Sequence, residues 1–147
     1  MLLMIYLGKG DLTFQADSGP ASNNNPDDCS IGDVNNDGRP DLAIATGNPY
    51  SSSQYHTYVY LNMDGTFGSS PSWESADQNV YMGCLWLDAD DDGWLDLACI
   101  GYQSQTQIYR NLGGELETTA SWHTTDSANQ FGIMLASGDV TGDGIRD

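Results

Sequence analysis

One nine-residue acidic pattern occurs three times at nearly even intervals, and no other feature of the chain narrows the possible folds so sharply. The first copy, Asp33-Val34-Asn35-Asn36-Asp37-Gly38-Arg39-Pro40-Asp41, runs into Leu42-Ala43-Ile44-Ala45. The second, Asp88-Ala89-Asp90-Asp91-Asp92-Gly93-Trp94-Leu95-Asp96, runs into Leu97-Ala98-Cys99-Ile100. The third, Asp139-Val140-Thr141-Gly142-Asp143-Gly144-Ile145-Arg146-Asp147, is the end of the sequence. Their first residues lie 55 and 51 positions apart. A period of this size marks stacked supersecondary units, each of which needs its neighbours to cover an apolar face.

Other landmarks keep the period. Tyr6-Leu7-Gly8-Lys9-Gly10, Tyr60-Leu61-Asn62-Met63-Asp64-Gly65 and Tyr109-Arg110-Asn111-Leu112-Gly113-Gly114 are each followed by an apolar residue, Phe14, Phe67 or Leu116. Each reads as a strand, a glycine-containing turn and a returning strand. Trp73 and Trp122, 49 positions apart, precede the next window, and their shared register points to packing between units. Within a unit the pattern is β throughout. Segments 28–33, 83–88 and 133–138 approach the windows as short strands, and the small apolar runs after the first two windows suit strands covered on both faces. Tyr55 to Leu61 supplies a third strand and the residues around Phe67 a fourth. No segment reads as a helix. Four short strands in each unit of 40–55 residues is the arrangement of a propeller blade.

Charge narrows the function. The chain of 147 residues carries 21 acidic groups against four basic ones, a net charge of −17. Nucleic acid and anionic membrane both call for a basic surface and are excluded as partners. No apolar stretch approaches the roughly 20 residues that cross a bilayer, and the apolar start, Met1 to Leu7, is too short for a signal peptide and lacks its basic flank. Hydrophobic residues make up 39%, which separates the chain from acidic disordered tails. The acids are 18 Asp and only three Glu, and 11 of the Asp fall inside the three windows. Short carboxylates so crowded repel by about 1 kcal/mol per pair at 4 Å in water, and more when partly buried. A positive partner is expected among them.

Within each window, carboxylates or other oxygens stand at positions 1, 3, 5 and 9, and position 6 is Gly. Alternate positions of a tight loop turn their oxygens towards one centre, with glycine permitting the bend and the carbonyl of position 7 closing the shell. Oxygen donors without His or Cys suit Ca²⁺ better than Zn²⁺ or copper, and Mg²⁺ prefers to keep its waters. An EF-hand is excluded, because position 12 is Ile44 or Cys99 in place of a bidentate Glu. A single such window is equally well explained as a hairpin turn that binds nothing; three copies in register favour metal.

These windows, with the Tyr-x-Asn-x-x-Gly-x-Phe-like hairpins beside them, resemble FG-GAP/VCBS repeats, the calcium-loop blades of integrin α-chain propellers and of many secreted bacterial proteins. The resemblance implies an all-β chain of four-stranded antiparallel propeller blades with one Ca²⁺ per acidic loop, up to three, in the first hairpin of each blade. By motif position it implies as ligands Asp33, Asn35, Asp37, Arg39 (carbonyl) and Asp41; then Asp88, Asp90, Asp92, Trp94 (carbonyl) and Asp96; then Asp139, Thr141, Asp143, Ile145 (carbonyl) and Asp147. Thr141 departs from the pattern with a weaker hydroxyl ligand. Ligand charge ranks the second loop tightest and the third weakest. The organisation expected is the end of one blade (1–15), two blades (27–75 and 80–122) and the start of another (130–147). That is an incomplete propeller, a segment whose remaining blades belong to a parent chain or, alternatively, to further subunits.

The remaining chemistry is sparse. Cys29, Cys84 and Cys99 occupy apolar repeat positions and read as buried free thiols. His56 and His123 share no register, and no nucleophile, base and orienting acid assemble, so no enzyme is expected. Trp94 is the candidate for an exposed aromatic. The function implied is a calcium-binding recognition or adhesion scaffold of a secreted or cell-surface protein, with the periplasm as another location. Its partner would be a protein or glycan bound on the face away from the calcium loops, through stretches such as 15–26, 47–55 and 68–80. The alternatives are a non-catalytic module of a secreted enzyme, for instance one acting on polysaccharide, and a calcium-rigidified spacer.

Overall fold

A computed structural model describes residues 4–18, 25–51, 53–125 and 131–146. They hold twelve strands and no helix. A hairpin of β1 (Met4–Gly8) and β2 (Phe14–Ser18) comes first. A four-stranded antiparallel sheet follows, with β3 (Pro26–Gly32), β4 (Asp41–Thr46), β5 (Tyr58–Tyr60) and β8 (Trp73–Glu74) in that order. A small hairpin, β6 (Asn62–Met63) with β7 (Thr66–Phe67), interrupts the path from β5 to β8. The second sheet repeats the plan with β9 (Tyr81–Leu87), β10 (Asp96–Gly101), β11 (Gln107–Tyr109) and β12 (Trp122–His123). Its inserted hairpin is reduced to a bridge between Asn111 and Leu116.

The pleat explains why both second strands are apolar throughout. Successive side chains of a strand point to opposite faces. Leu42 and Ile44 face a cluster with Tyr58, Tyr60, Ile5 of β1 and Phe67. Ala43 and Ala45 face the other way, into a larger cluster with Val59 and, from the second sheet, Tyr81, Cys84, Trp86, Leu97, Cys99 and Tyr109. All six residues of β4 are buried as a result. The two sheets therefore stack face to face as neighbouring blades, with β1–β2 laid on the far side of the first. Polar bonds cross the seam: Asp28 accepts from the Cys84 amide at 3.1 Å, and the Ser30 carbonyl from the Trp86 indole at 3.2 Å. A Cβ on Gly32 would lie 2.8 Å from the Trp86 ring, so this crossing needs a residue without a side chain.

Four expectations are corrected. The fourth strand is Trp73–Glu74, not the residues around Phe67, which form the inserted hairpin. Trp73 gains its place from the next blade, where its ring meets Tyr109 edge-on at 5.3 Å and its indole donates to the Leu116 carbonyl at 3.2 Å. Segment 133–138 forms no strand; only Phe131 bridges to Tyr102. Its counterparts β3 and β9 are held by pairing with the strand that leaves the acidic loop, β4 or β10. Cys84 and Cys99 are buried, but Cys29 is exposed on β3. Trp94 is half-buried beside Gly114 rather than exposed.

Candidate metal centre

The first two acidic windows form the loop between the first and second strands of their sheets, 33–40 between β3 and β4 and 88–95 between β9 and β10, and the third repeats the loop without flanking strands among the described residues. Backbone conformation shapes all three. Position 4 is left-handed in every copy, with φ of 55° at Asn36, 59° at Asp91 and 79° at Gly142. Position 6 is left-handed too, at 84°, 87° and 90° for Gly38, Gly93 and Gly144. Only Gly, Asn and Asp visit this region readily. Asp91, which offers no ligand, therefore has a conformational reason to be where it is. The residue types at position 4, Asn, Asp and Gly, carry that signal in the sequence.

The two left-handed residues turn amide hydrogens inward onto the carboxylate of position 1. Asp33 accepts from the amides of Asp37 and Gly38 at 3.0 and 2.8 Å, and Asp88 from those of Asp92 and Gly93 at 3.1 and 2.9 Å. Asp139 accepts from Gly142, Asp143 and Gly144. These bonds, that from Gly144 foremost, hold its carboxyl below the usual carboxylate range. Position 5 accepts from the amide of position 7 at 2.9 Å in each loop, in the pairs Asp37–Arg39, Asp92–Trp94 and Asp143–Ile145.

Position 9 does a second job. Asp41 and Asp96 are buried at 0% and 1% exposure. One oxygen of each accepts from the amide of position 2, Val34 at 3.0 Å or Ala89 at 2.8 Å. The other reaches the inserted hairpin, accepting from the amide of Asn62 or Asn111 at 2.8 Å. Burial pushes both carboxyls up from the usual range, against the pull of these bonds. Asn62 and Asn111 were not foreseen as part of the centre. Each donates from its side-chain amide to the carbonyl of position 8, Pro40 at 3.0 Å or Leu95 at 3.1 Å. Each also accepts from a hairpin glycine, Gly65 at 2.7 Å or Gly114 at 2.6 Å. The Asn of the Tyr-x-Asn motif is thus the strut that ties the hairpin to the loop.

The donor set fits a hard cation best in the second loop. Asp88, Asp90 and Asp96 each present a carboxylate oxygen, all within 4.8 Å of one another. Oxygens sharing one Ca²⁺ at 2.3–2.6 Å lie no more than about 5 Å apart. In the first loop the position 3 donor is Asn35, whose side-chain amide bonds Asp37 at 3.0 Å. In the third the Thr141 hydroxyl bonds Asp139, and Asp147 lies outside the described residues. Position 7 varies freely in side chain. Arg39 turns its guanidinium onto Asp37 at 2.6 Å and donates to the Asn62 carbonyl at 2.9 Å, while Ile145 is exposed. Adjacent loops touch, the Asn36 side chain donating to the Gly93 carbonyl at 3.3 Å.

Strand direction places the other loops. Of stretch 47–55, the described residues 47–51 and 53–55 lie at the end of the first sheet away from the acidic loop, as do residues 75–80, whereas 68–72 lies at the acidic end beside the β5 terminus. Of 15–26, residues 15–18 belong to β2 and 19–24 lie outside the described residues. The far end carries an open cleft of about 370 Å³ that includes Asp27, Asn48, Tyr50 and Met82, with Tyr50 97% exposed.

The FG-GAP-like repeat pattern matches residues 33–99 and 88–147, so each match begins on position 1 of an acidic window. No curated protein matches the chain at a significant level.

Proposed function

From the premise that this chain belongs to the FG-GAP-like repeat family, we propose that it is a calcium-binding propeller segment acting as a recognition or adhesion scaffold outside the cell. Repeats of this family form β-propeller-like modules and are generally non-catalytic. The observation that carries the calcium reading is the convergence of Asp88, Asp90 and Asp96 oxygens within 4.8 Å, in a loop whose backbone network recurs in all three windows. Asp33, Asn35, Asp37 and Asp41 would hold a cation in the first loop, and Asp88, Asp90, Asp92 and Asp96 in the second. Asp139, Thr141, Asp143 and Asp147 would do so in the third. The carbonyls of Arg39, Trp94 and Ile145 would complete each set. When bound, the ion neutralises the crowded carboxylates, and the chain's own amides keep those carboxylates aimed. Millimolar extracellular calcium keeps loops of this kind filled, which is the physical reason for an extracellular or cell-surface location.

The recognition face is the end of the sheets opposite the acidic loops, where Tyr50 stands free above the cleft with Asp27 and Asn48. An exposed aromatic among polar groups suits a glycan or a protein loop. Calorimetric titration of the chelator-treated chain with CaCl₂ and MgCl₂ tests the metal reading. Saturable binding selective for Ca²⁺ is expected, and flat isotherms with both ions would end it. Screening the calcium-loaded chain and its Tyr50→Ala variant against glycan and protein arrays tests the face. A ligand lost on substitution supports recognition; no ligand at all leaves the spacer role.

A further inference from the structure

The second loop holds a resident cation of the protein's own. Arg110, the residue before the strut Asn111, places its guanidinium on the Asp90 carboxylate. Asp90 is one of the three residues whose oxygens converge. In the preceding unit the equivalent of Arg110 is Leu61, and there position 3 of the loop is the neutral Asn35. The added carboxylate and the added guanidinium thus occur in the same unit, in a chain with only four basic residues. Arg110 is anchored through its backbone, donating to Glu117 at 3.3 Å and accepting from the Glu117 amide at 2.8 Å. Its side chain borders an open cleft of about 370 Å³ beside Ile108 and Trp122, which leaves the guanidinium room to withdraw without moving the strand.

Building on the calcium reading, we propose that Arg110 is an internal competitor for the metal of the second loop. It occupies Asp90 when the loop is empty and must leave it before that oxygen turns to a cation. The charge count of the second loop then overstates its affinity, because one of its carboxylates is already paired. The first loop has a partial counterpart in the Arg39–Asp37 pair, but Arg39 sits in the loop itself and also holds the Asn62 carbonyl. Arg110 reaches across from the neighbouring hairpin with no second side-chain bond among the described residues to hold it.

The test is a CaCl₂ titration of the full chain followed by nuclear magnetic resonance at two backbone amides, Gly93 for the second loop and Gly38 for the first. Arg110→Leu introduces the residue that the preceding unit carries at this position, and Arg110→Gln is a second variant that keeps the side chain long and polar. Both are expected to tighten calcium binding at Gly93 about two- to fivefold, the span of an exposed ion pair, and to leave Gly38 unchanged. In an Asp90→Asn background the Arg110 substitutions are expected to change nothing. If Gly38 and Gly93 respond to calcium but neither variant tightens Gly93, or both amides tighten together, competition by Arg110 is refuted while the calcium reading stands. If neither amide of the parent chain responds to calcium, the calcium reading fails and this proposal fails with it.

Discussion

Their place in the repeat marks Asp41 and Asp96 as the closing ligands of their loops, and the bonds they make give them a role that needs no metal. Each satisfies two backbone amides, one in the loop and one in the inserted hairpin, from a fully buried position. An Asn in their place offers one acceptor oxygen where the site requires two. Asp96→Asn and Asp41→Asn should therefore each destabilise the chelator-treated chain by about 1–3 kcal/mol, the consequence of one orphaned buried amide, measured by urea unfolding in EDTA. A residue that served only as a metal ligand would leave that metal-free stability unchanged. The carboxylate pattern was legible because ligand types recur in register. The second role was not, because Asn62 and Asn111 lie 21 and 15 residues further along and meet the carboxylate only after the sheet forms. The cysteines show the same limit. Repeat register predicted three buried thiols, yet register says nothing about whether a neighbouring blade is there to cover one. Burial pushes the Cys99 thiol up to about 12 and Cys84 well above its ordinary value, so both stay protonated and unreactive at pH 8. An aromatic disulfide reagent should label one thiol, Cys29, in the native chain and three after denaturation.

Among the elements, the first two strands of each blade were legible and the last was not. β4 and β10 announce themselves as continuous apolar runs because both faces are covered. β8 and β12 are two residues long, too short for any periodicity to register, and what holds Trp73 lies in the next blade. The turn before them, with its Gly and Phe67, carried the stronger local signal and drew the fourth strand to the wrong place. The two tryptophans, identical in register, should consequently respond differently to substitution. Trp73 is packed on Tyr109 and bonded to Leu116, whereas Trp122 is 50% exposed. Trp73→Ala should destabilise by about 3 kcal/mol, the low end for a large buried aromatic since one edge remains open. Trp122→Ala should destabilise by about 1 kcal/mol or less. Parallel denaturant titrations of the two variants measure the difference, and equal losses would mean that the interblade contact of Trp73 contributes nothing specific.

On the scale of the whole molecule, a charge of −17 opposes any compact state, and the repeats gather much of that charge at one end of the stacked sheets. Two kinds of relief are available, and they respond differently to ions. Screening by salt acts on all the carboxylates alike and depends on ionic strength, with a Debye length of about 8 Å at 0.15 M. Occupation of the loops depends on the identity of the ion. At a calcium concentration a hundredfold above Kd, each filled loop adds about 2.7 kcal/mol to the folded state, and for a chain of this size that raises Tm by on the order of 10 °C. The melting temperature of the chelator-treated chain should accordingly rise a few degrees as NaCl is added. It should rise by a much larger step when CaCl₂ replaces part of that salt at constant ionic strength, with MgCl₂ falling between the two. Because ligand-linked stabilisation grows with the logarithm of free ligand, the calcium curve should keep climbing after the loops are saturated, whereas screening levels off. A chain that melts at the same temperature in NaCl, MgCl₂ and CaCl₂ of equal ionic strength would need only a diffuse counter-ion atmosphere to fold. The three acidic corners would then be turns whose carboxylates are held by their own amides alone.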